Sequence, residues 1–138
     1  MIAYVTVGAN DLVRAERFYS AFLPALGYTL TVGPEGLGYA LPVAPGLAPR
    51  HPDFYVKPPH DGRPATAGNG AMVAFGARCQ KQVRDLHAAA LSAGGLDAGG
   101  PGFRAAYGPR FYVAYLRDPE GNKVAIFSSD PNEPGRDG

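Results

Sequence analysis

Three histidines and one cysteine are the side chains of this 138-residue chain best suited to hold a transition metal, and their placement does not gather them. His51 and His60 fall in proline-rich loops and His87 within an expected helix. They share neither a strand face nor the close spacing that metal sites use. Cys79 stands alone, which excludes a disulfide within the chain and a cysteine-only cluster, and it reads as a structural thiol rather than a nucleophile. Thirteen Lys and Arg against twelve Asp and Glu leave a net charge of +1, with no Lys/Arg run to neutralise phosphates. Nucleic acid is therefore not an expected partner.

The rest of the composition describes a chain that folds. Apolar residues make up 46% and charged residues 18%, far from the disordered regime, and the length suits one domain or two small fused modules. No apolar run reaches the length of a membrane span, and the N-terminus lacks the basic and apolar regions of a signal peptide, so a cytoplasmic location and no membrane partner are expected. Nineteen glycines and fourteen prolines lie between apolar segments rather than in one tract, and so read as turns. The stretch from Pro42 to Gly70 reads as a strand, DFYVK, flanked by long loops. The polar tail at 131–138 is expected to fray.

An internal repeat organises these elements. A shift of 68 positions lays YVTVGANDLVRAERFYSAFLPALG, from Tyr4, over MVAFGARCQKQVRDLHAAALSAGG, from Met72, with seven identities in 24 pairs, among them Gly8 with Gly76 and Gly27 with Gly95. A period this long implies two modules rather than a solenoid. The first reads as a strand at Ile2 to Val7, a helix from about Leu12 to Leu26 capped by Asn10 or Asp11, and strands near Tyr28 to Val32, Gly38 to Val43 and Asp53 to Lys57. The second repeats this plan with a strand at Ala71 to Phe75, a helix at Gln80 to Ala93, and strands near Leu96 to Ala98, Arg110 to Leu116 and Lys123 to Ser128. RDPEGNK between the last two has the Pro and Gly of a tight hairpin. Each half is βαβββ, with module boundaries expected at 1–60 and 61–130.

The duplication, with VTVGANDLVRAERFYSAFLPALGY, DFYVKPPHDGRPATAGNGAMVAFGA and above all YLRDPEGNKVAIF, resembles the vicinal oxygen chelate superfamily, the glyoxalase, bleomycin-resistance and extradiol dioxygenase group. The likeness runs from Met1 to about Ser129. It implies an α+β fold of two tandem βαβββ modules whose mixed sheets form a half-open cup, with helices packed outside. It also implies a divalent metal in that cup and pairing into homodimers.

At the positions where the resemblance places the metal ligands stand Tyr4, Met72 and Ala125, with Tyr55 or Lys57 as a fourth candidate. A divalent cation needs several N, O or S donors converging at about 2 Å, which this set does not supply, and an ammonium repels it. No metal and no other cofactor is therefore expected. Strand alternation turns Tyr4 and Thr6, Met72 and Ala74, Ala125 and Phe127, and Tyr55 and Lys57 toward the cup. For the strand before the DPEGN hairpin, Tyr112 and Ala114 form one face and Phe111, Val113 and Tyr115 the other. FRAAYGPRFY corresponds to the family's loop beside the cup mouth, where Arg104, Tyr107 and Arg110 are candidates for gripping a ligand.

The ligand-binding set is thus Tyr4, Tyr55, Lys57, Met72, Tyr107, Arg110, Tyr112 and Phe127. An apolar and aromatic lining with a few hydroxyls suits a small organic molecule, aromatic or amphipathic, and anionic if Lys57 or Arg110 points inward. Bleomycin, a cationic glycopeptide, would favour an acidic groove rich in Trp, and this chain has no Trp. Two other readings stand beside metal-free binding. One is a lyase or oxidoreductase of the glyoxalase or dioxygenase type, dependent on metal or using a tyrosine or lysine as acid or base. The other is a vestigial or regulatory dimer.

Overall fold

The computed structural model describes residues 1–138. β1 (Tyr4–Gly8) leads through α1 (Leu12–Tyr19) and a 3-10 turn (Pro24–Leu26) to β2 (Thr29–Gly33), β3 (Gly36–Ala40) and β4 (Asp53–Lys57). The second half repeats the order with β5 (Val73–Gly76), α2 (Gln80–Ser92), β6 (Leu96–Phe103), β7 (Tyr112–Arg117) and β8 (Lys123–Ser128). The strands make two four-stranded sheets, ordered β1-β4-β3-β2 and β5-β8-β7-β6, with no hydrogen-bonded pairing between them. In each sheet the first and last strands pair in parallel and the rest antiparallel. This is the α+β duplication expected, and its sheets are mixed and not closed.

The first helix stops earlier than its periodicity suggests. Pro24 lacks an amide N–H and so cannot continue the helical hydrogen bonds back to the Ser20 carbonyl. The chain past Tyr19 tightens accordingly into turns, with Ala21 and Phe22 amides donating to Phe18 and Tyr19 carbonyls. Asp11 is the cap, its side chain accepting from the Arg14 amide at 3.0 Å. β6 is longer than expected because its glycines and Pro101 hide strand character in LDAGGPGF, and its register shifts twice. The tail at 131–138, expected to fray, is instead tied down. The Gln80 amide donates to Glu133 Oε1 at 2.7 Å, the Arg136 amide to the Pro109 carbonyl at 2.7 Å, and Arg136 Nη1 to the carbonyls of Arg104 and Tyr107 at 3.0 and 2.9 Å.

Both halves share one core of 19 buried residues. Phe75 of β5 sits at the junction, its ring meeting those of Phe54, Phe22 and Tyr28 edge-on at centroid distances of 5.1, 5.7 and 6.0 Å. A polar lock adds to it. Tyr19 Oη on α1 donates to Asp118 Oδ2 in the β7–β8 turn at 2.6 Å, and Asn122 Nδ2 donates to the Gly8 carbonyl at 2.9 Å. Asp118, almost fully buried, also accepts from the amides of Glu120 and Asn122 and from Asn122 Nδ2, each at 2.9 Å. Burial, and then the Asp118 carboxylate, push the Tyr19 phenol well above its ordinary pKa, so the donor keeps its proton. With one face of each sheet committed to this core, the opposite faces stay open. Tyr4 is 64% exposed and Met72 45%.

Candidate functional site

Parity along the strands of the first sheet decides what the open face carries. Val5, Val7, Leu37, Tyr39, Phe54 and Val56 turn to the core, which sends Tyr4, Thr31, Gly38, Asp53, Tyr55 and Lys57 outward together. A concavity of about 660 Å³ opens there, with the β2–β3 turn at Pro34 and Glu35 on its rim. The Tyr4 and Tyr55 rings meet edge to face at 5.7 Å and form its aromatic wall. Tyr55 lies close over β3 only because residue 38 is glycine: a Cβ there would come within 3.2 Å of the Tyr55 ring. Lys57 Nζ stands 5.9 Å from the Tyr55 ring centroid and 4.0 Å from Glu35 Oε2. Tyr55 Oη donates to Asp53 Oδ2 at 3.1 Å, and this bond is the main cause raising the Tyr55 phenol above its ordinary pKa. That direction opposes use of Tyr55 as a general base or as a tyrosinate near neutral pH.

The other candidates lie elsewhere. Met72 precedes β5, and Phe127 of β8 faces away from the core beside Val113, so both belong to the second half and neither lines the groove. Phe127 stacks on Phe111 at 4.6 Å, and Phe111 on Tyr107 at 4.8 Å, so Tyr107 joins Phe127 through Phe111 in an aromatic row. Arg110 is exposed and donates to the Glu133 carbonyl, held by the tail rather than aimed at the groove. Tyr112 is a correction: it is buried on the core side of β7, where Arg84 of α2 donates to its hydroxyl at 3.3 Å and its ring packs edge-on against Phe103. The residues of β7 that face away from the core are those of the opposite parity, Val113 and Tyr115. Asp53 and Glu35 were missed. Asp53 shares the parity of Tyr55 and Lys57 and was legible as such, whereas Glu35 reaches the groove from a turn that no periodicity marks.

Solved structures supply the comparison. A glyoxalase/bleomycin resistance protein from Albidiferax ferrireducens T118 is 35% identical over 93% of this chain and 98% of that chain, with a TM-score of 0.78. The chain belongs to the glyoxalase/bleomycin resistance protein family. Two further structures share the fold at 20% identity. They are a glyoxalase-related enzyme from Fulvimarina pelagi, over 93% of this chain and 87% of that chain with a TM-score of 0.70, and a glyoxalase/bleomycin resistance protein/dioxygenase family enzyme from Burkholderia phytofirmans PsJN, over 92% and 97% with a TM-score of 0.69. No family model matches the chain, and no curated protein is similar to it.

The superfamily's divalent metal does not fit the residues present. Where the resemblance places its ligands stand Tyr4, Met72 and Ala125, of which Ala125 has no donor atom, and the remaining candidates are Tyr55, whose proton is held by Asp53, and the cationic Lys57. No three His, Cys, Asp or Glu side chains converge anywhere in the chain. No step through a metal follows from these residues. Protein exposed to Ni, Zn or Mn, dialysed and assayed by elemental mass spectrometry is expected to retain no stoichiometric ion. One chelator-sensitive equivalent per chain would contradict the donor argument.

Proposed function

We propose that the protein is a metal-free, glyoxalase-like binding protein that holds a small organic molecule against the tyrosine wall of the first sheet. The supporting observation is the groove itself. Its volume of about 660 Å³ falls within the range of small-molecule sites, and its lining joins two aromatic rings to a few placed polar groups. Tyr4 and Tyr55 supply flat apolar contact, Lys57 a cation for an acidic substituent, and Asp53 an acceptor already engaged with Tyr55. Met72, Tyr107, Arg110 and Phe127 belong to the second half, 61–130, and complete the cup in this reading when two chains pair as a homodimer. The exposure of Tyr4 and Met72 supports such pairing. No helix is long and apolar enough to cross a membrane. A cytoplasmic setting suits the unpaired Cys79.

A thermal-shift screen of metabolites and antibiotics with and without EDTA tests the reading. A ligand present at a hundred times its Kd stabilises the folded state by about 2.7 kcal/mol, and the resulting rise in Tm is expected to persist in EDTA. Tyr55→Ala is expected to weaken that ligand about tenfold by removing half of the aromatic wall. A shift that EDTA abolishes, or that Tyr55→Ala leaves intact, would place the ligand elsewhere or on a metal.

A further inference from the structure

The open face of the second sheet carries a charge pattern unlike that of the first. Leu116 and Ala114 of β7 turn to the core, so Tyr115 and Arg117 point the other way. Register brings Tyr115 opposite Ala125 and Gly99, and Arg117 opposite Lys123. Over the Tyr115 ring lie two cations: Lys123 Nζ at 4.9 Å and the Arg104 guanidinium carbon at 5.3 Å from its centroid. Neither joins an ion pair, and nor does Arg117, since the chain's five pairs all involve other cations. Three positive groups thus share one face, none of them paired with a carboxylate. On the first sheet, by contrast, Lys57 faces Glu35, and Asp53 stands on the same surface.

The backbone is shaped to hold this arrangement. β6 shifts register between Asp97 and Gly99 and again between Gly99 and Gly102, which folds the following Arg104 back over the sheet. Arg104 Nη2 donates to the Gly100 carbonyl at 2.7 Å and Nη1 to the Phe103 carbonyl at 3.1 Å. Gly99 has φ +150, and a Cβ there would lie 3.0 Å from the Tyr115 ring and 3.3 Å from Arg104 Nη2. Only glycine lets ring and guanidinium approach the strand together. Two of the five guanidinium N–H groups are spent on backbone, and the others are free to fork onto an oxyanion.

We propose that Tyr115, Arg104 and Lys123 form an oxyanion-binding site that takes the carboxylate or phosphate group of a small molecule. The Tyr115 ring and the Gly100 and Phe103 carbonyls hold these like charges together, but no carboxylate neutralises them. A bound oxyanion does, through charge-assisted hydrogen bonds from a guanidinium already fixed in place. The site shares its face of the second sheet with Phe127 and so deepens the proposed binding function, on which it rests for the rest of the ligand; the oxyanion titration reads the cations alone, whether or not the groove of the first sheet holds a molecule.

Amide and arginine Nε–H spectra, recorded by NMR while inorganic phosphate or benzoate is titrated in at constant ionic strength, test it. Saturable shifts of Gly99, Gly100, Tyr115 and the Arg104 Nε–H are expected. Lys123→Met, which removes a cation that makes no ion pair, is expected to weaken binding about tenfold. Lys81→Met, an equal loss of charge on the outer face of α2, is expected to leave it unchanged. Arg104→Gln should weaken binding further, but Arg104 also ties the loop, so Lys123→Met is decisive. Tighter binding of phosphate identifies a phosphate ester as the ligand class, and tighter binding of benzoate a carboxylate. Linear shifts with both probes, saturation indifferent to Lys123→Met, or equal weakening by Lys81→Met would overturn the site.

Discussion

Phe75→Ala is expected to lower the unfolding free energy by about 3–5 kcal/mol. The ring is 4% exposed and meets aromatic rings from the turn after α1, from β4 and from the segment before β2. Its removal takes away the transfer energy of a phenyl group and leaves a cavity that three rigid neighbours cannot collapse to fill. Each edge-to-face pair adds about 0.5–1.5 kcal/mol beyond area burial. Because these partners all come from the first half and Phe75 from the second, the cost falls on the seam between the halves. Phe75→Leu, which keeps most of the volume, should lose less than half as much. Urea unfolding of the three proteins measures the difference, and a loss below about 1 kcal/mol for Phe75→Ala would show that the seam is held by something else.

Asp118→Ala is expected to cost about 3 kcal/mol or more. The carboxylate accepts four hydrogen bonds from inside the fold, and alanine would leave the Tyr19 hydroxyl and two amides without acceptors and Asn122 Nδ2 with the Gly8 carbonyl alone. A buried donor left unsatisfied costs about 1–3 kcal/mol, and water entering the gap recovers only part of this. Tyr19→Phe removes one donor and leaves the acceptor with three others, so its cost should be nearer 1–2 kcal/mol. The double variant should be less destabilised than the two losses added, because the two groups share one bond. Strict additivity in urea titrations would mean that the 2.6 Å contact carries no coupling.

Much of the fold was legible because its signals are local. DFYVK, which alternates in burial, and the apolar run of KVAIFS are strands β4 and β8 at the residues expected, and DPEGN makes the turn that its Pro and Gly announce. The 68-residue offset places Leu12 and Gln80 at the starts of α1 and α2. Where the reading failed, a nonlocal or backbone cause prevailed. Pro24 truncated a helix whose apolar spacing continued through Leu26, and LDAGGPGF paired as a strand that its composition argues against. The site was half legible. Parity put Tyr4, Tyr55 and Lys57 on one face, where they line one concavity, but Tyr112 required knowledge of which face of β7 meets α2, and only the fold supplies that. Arg104, Arg117 and Lys123 lie on separate segments, so no run of basic residues betrays their common surface.

The two register breaks of β6 also bear on how the chain behaves when crowded. β6 is the outermost strand of its sheet, and a straight outermost strand offers a ready template on which another molecule can add its own backbone. Here the broken spacing of amides, together with Pro101 in the middle of the strand, denies an incoming chain a continuous row of partners. Fibrillar stacking through that side of the molecule is disfavoured by the same backbone that carries Arg104 over Tyr115.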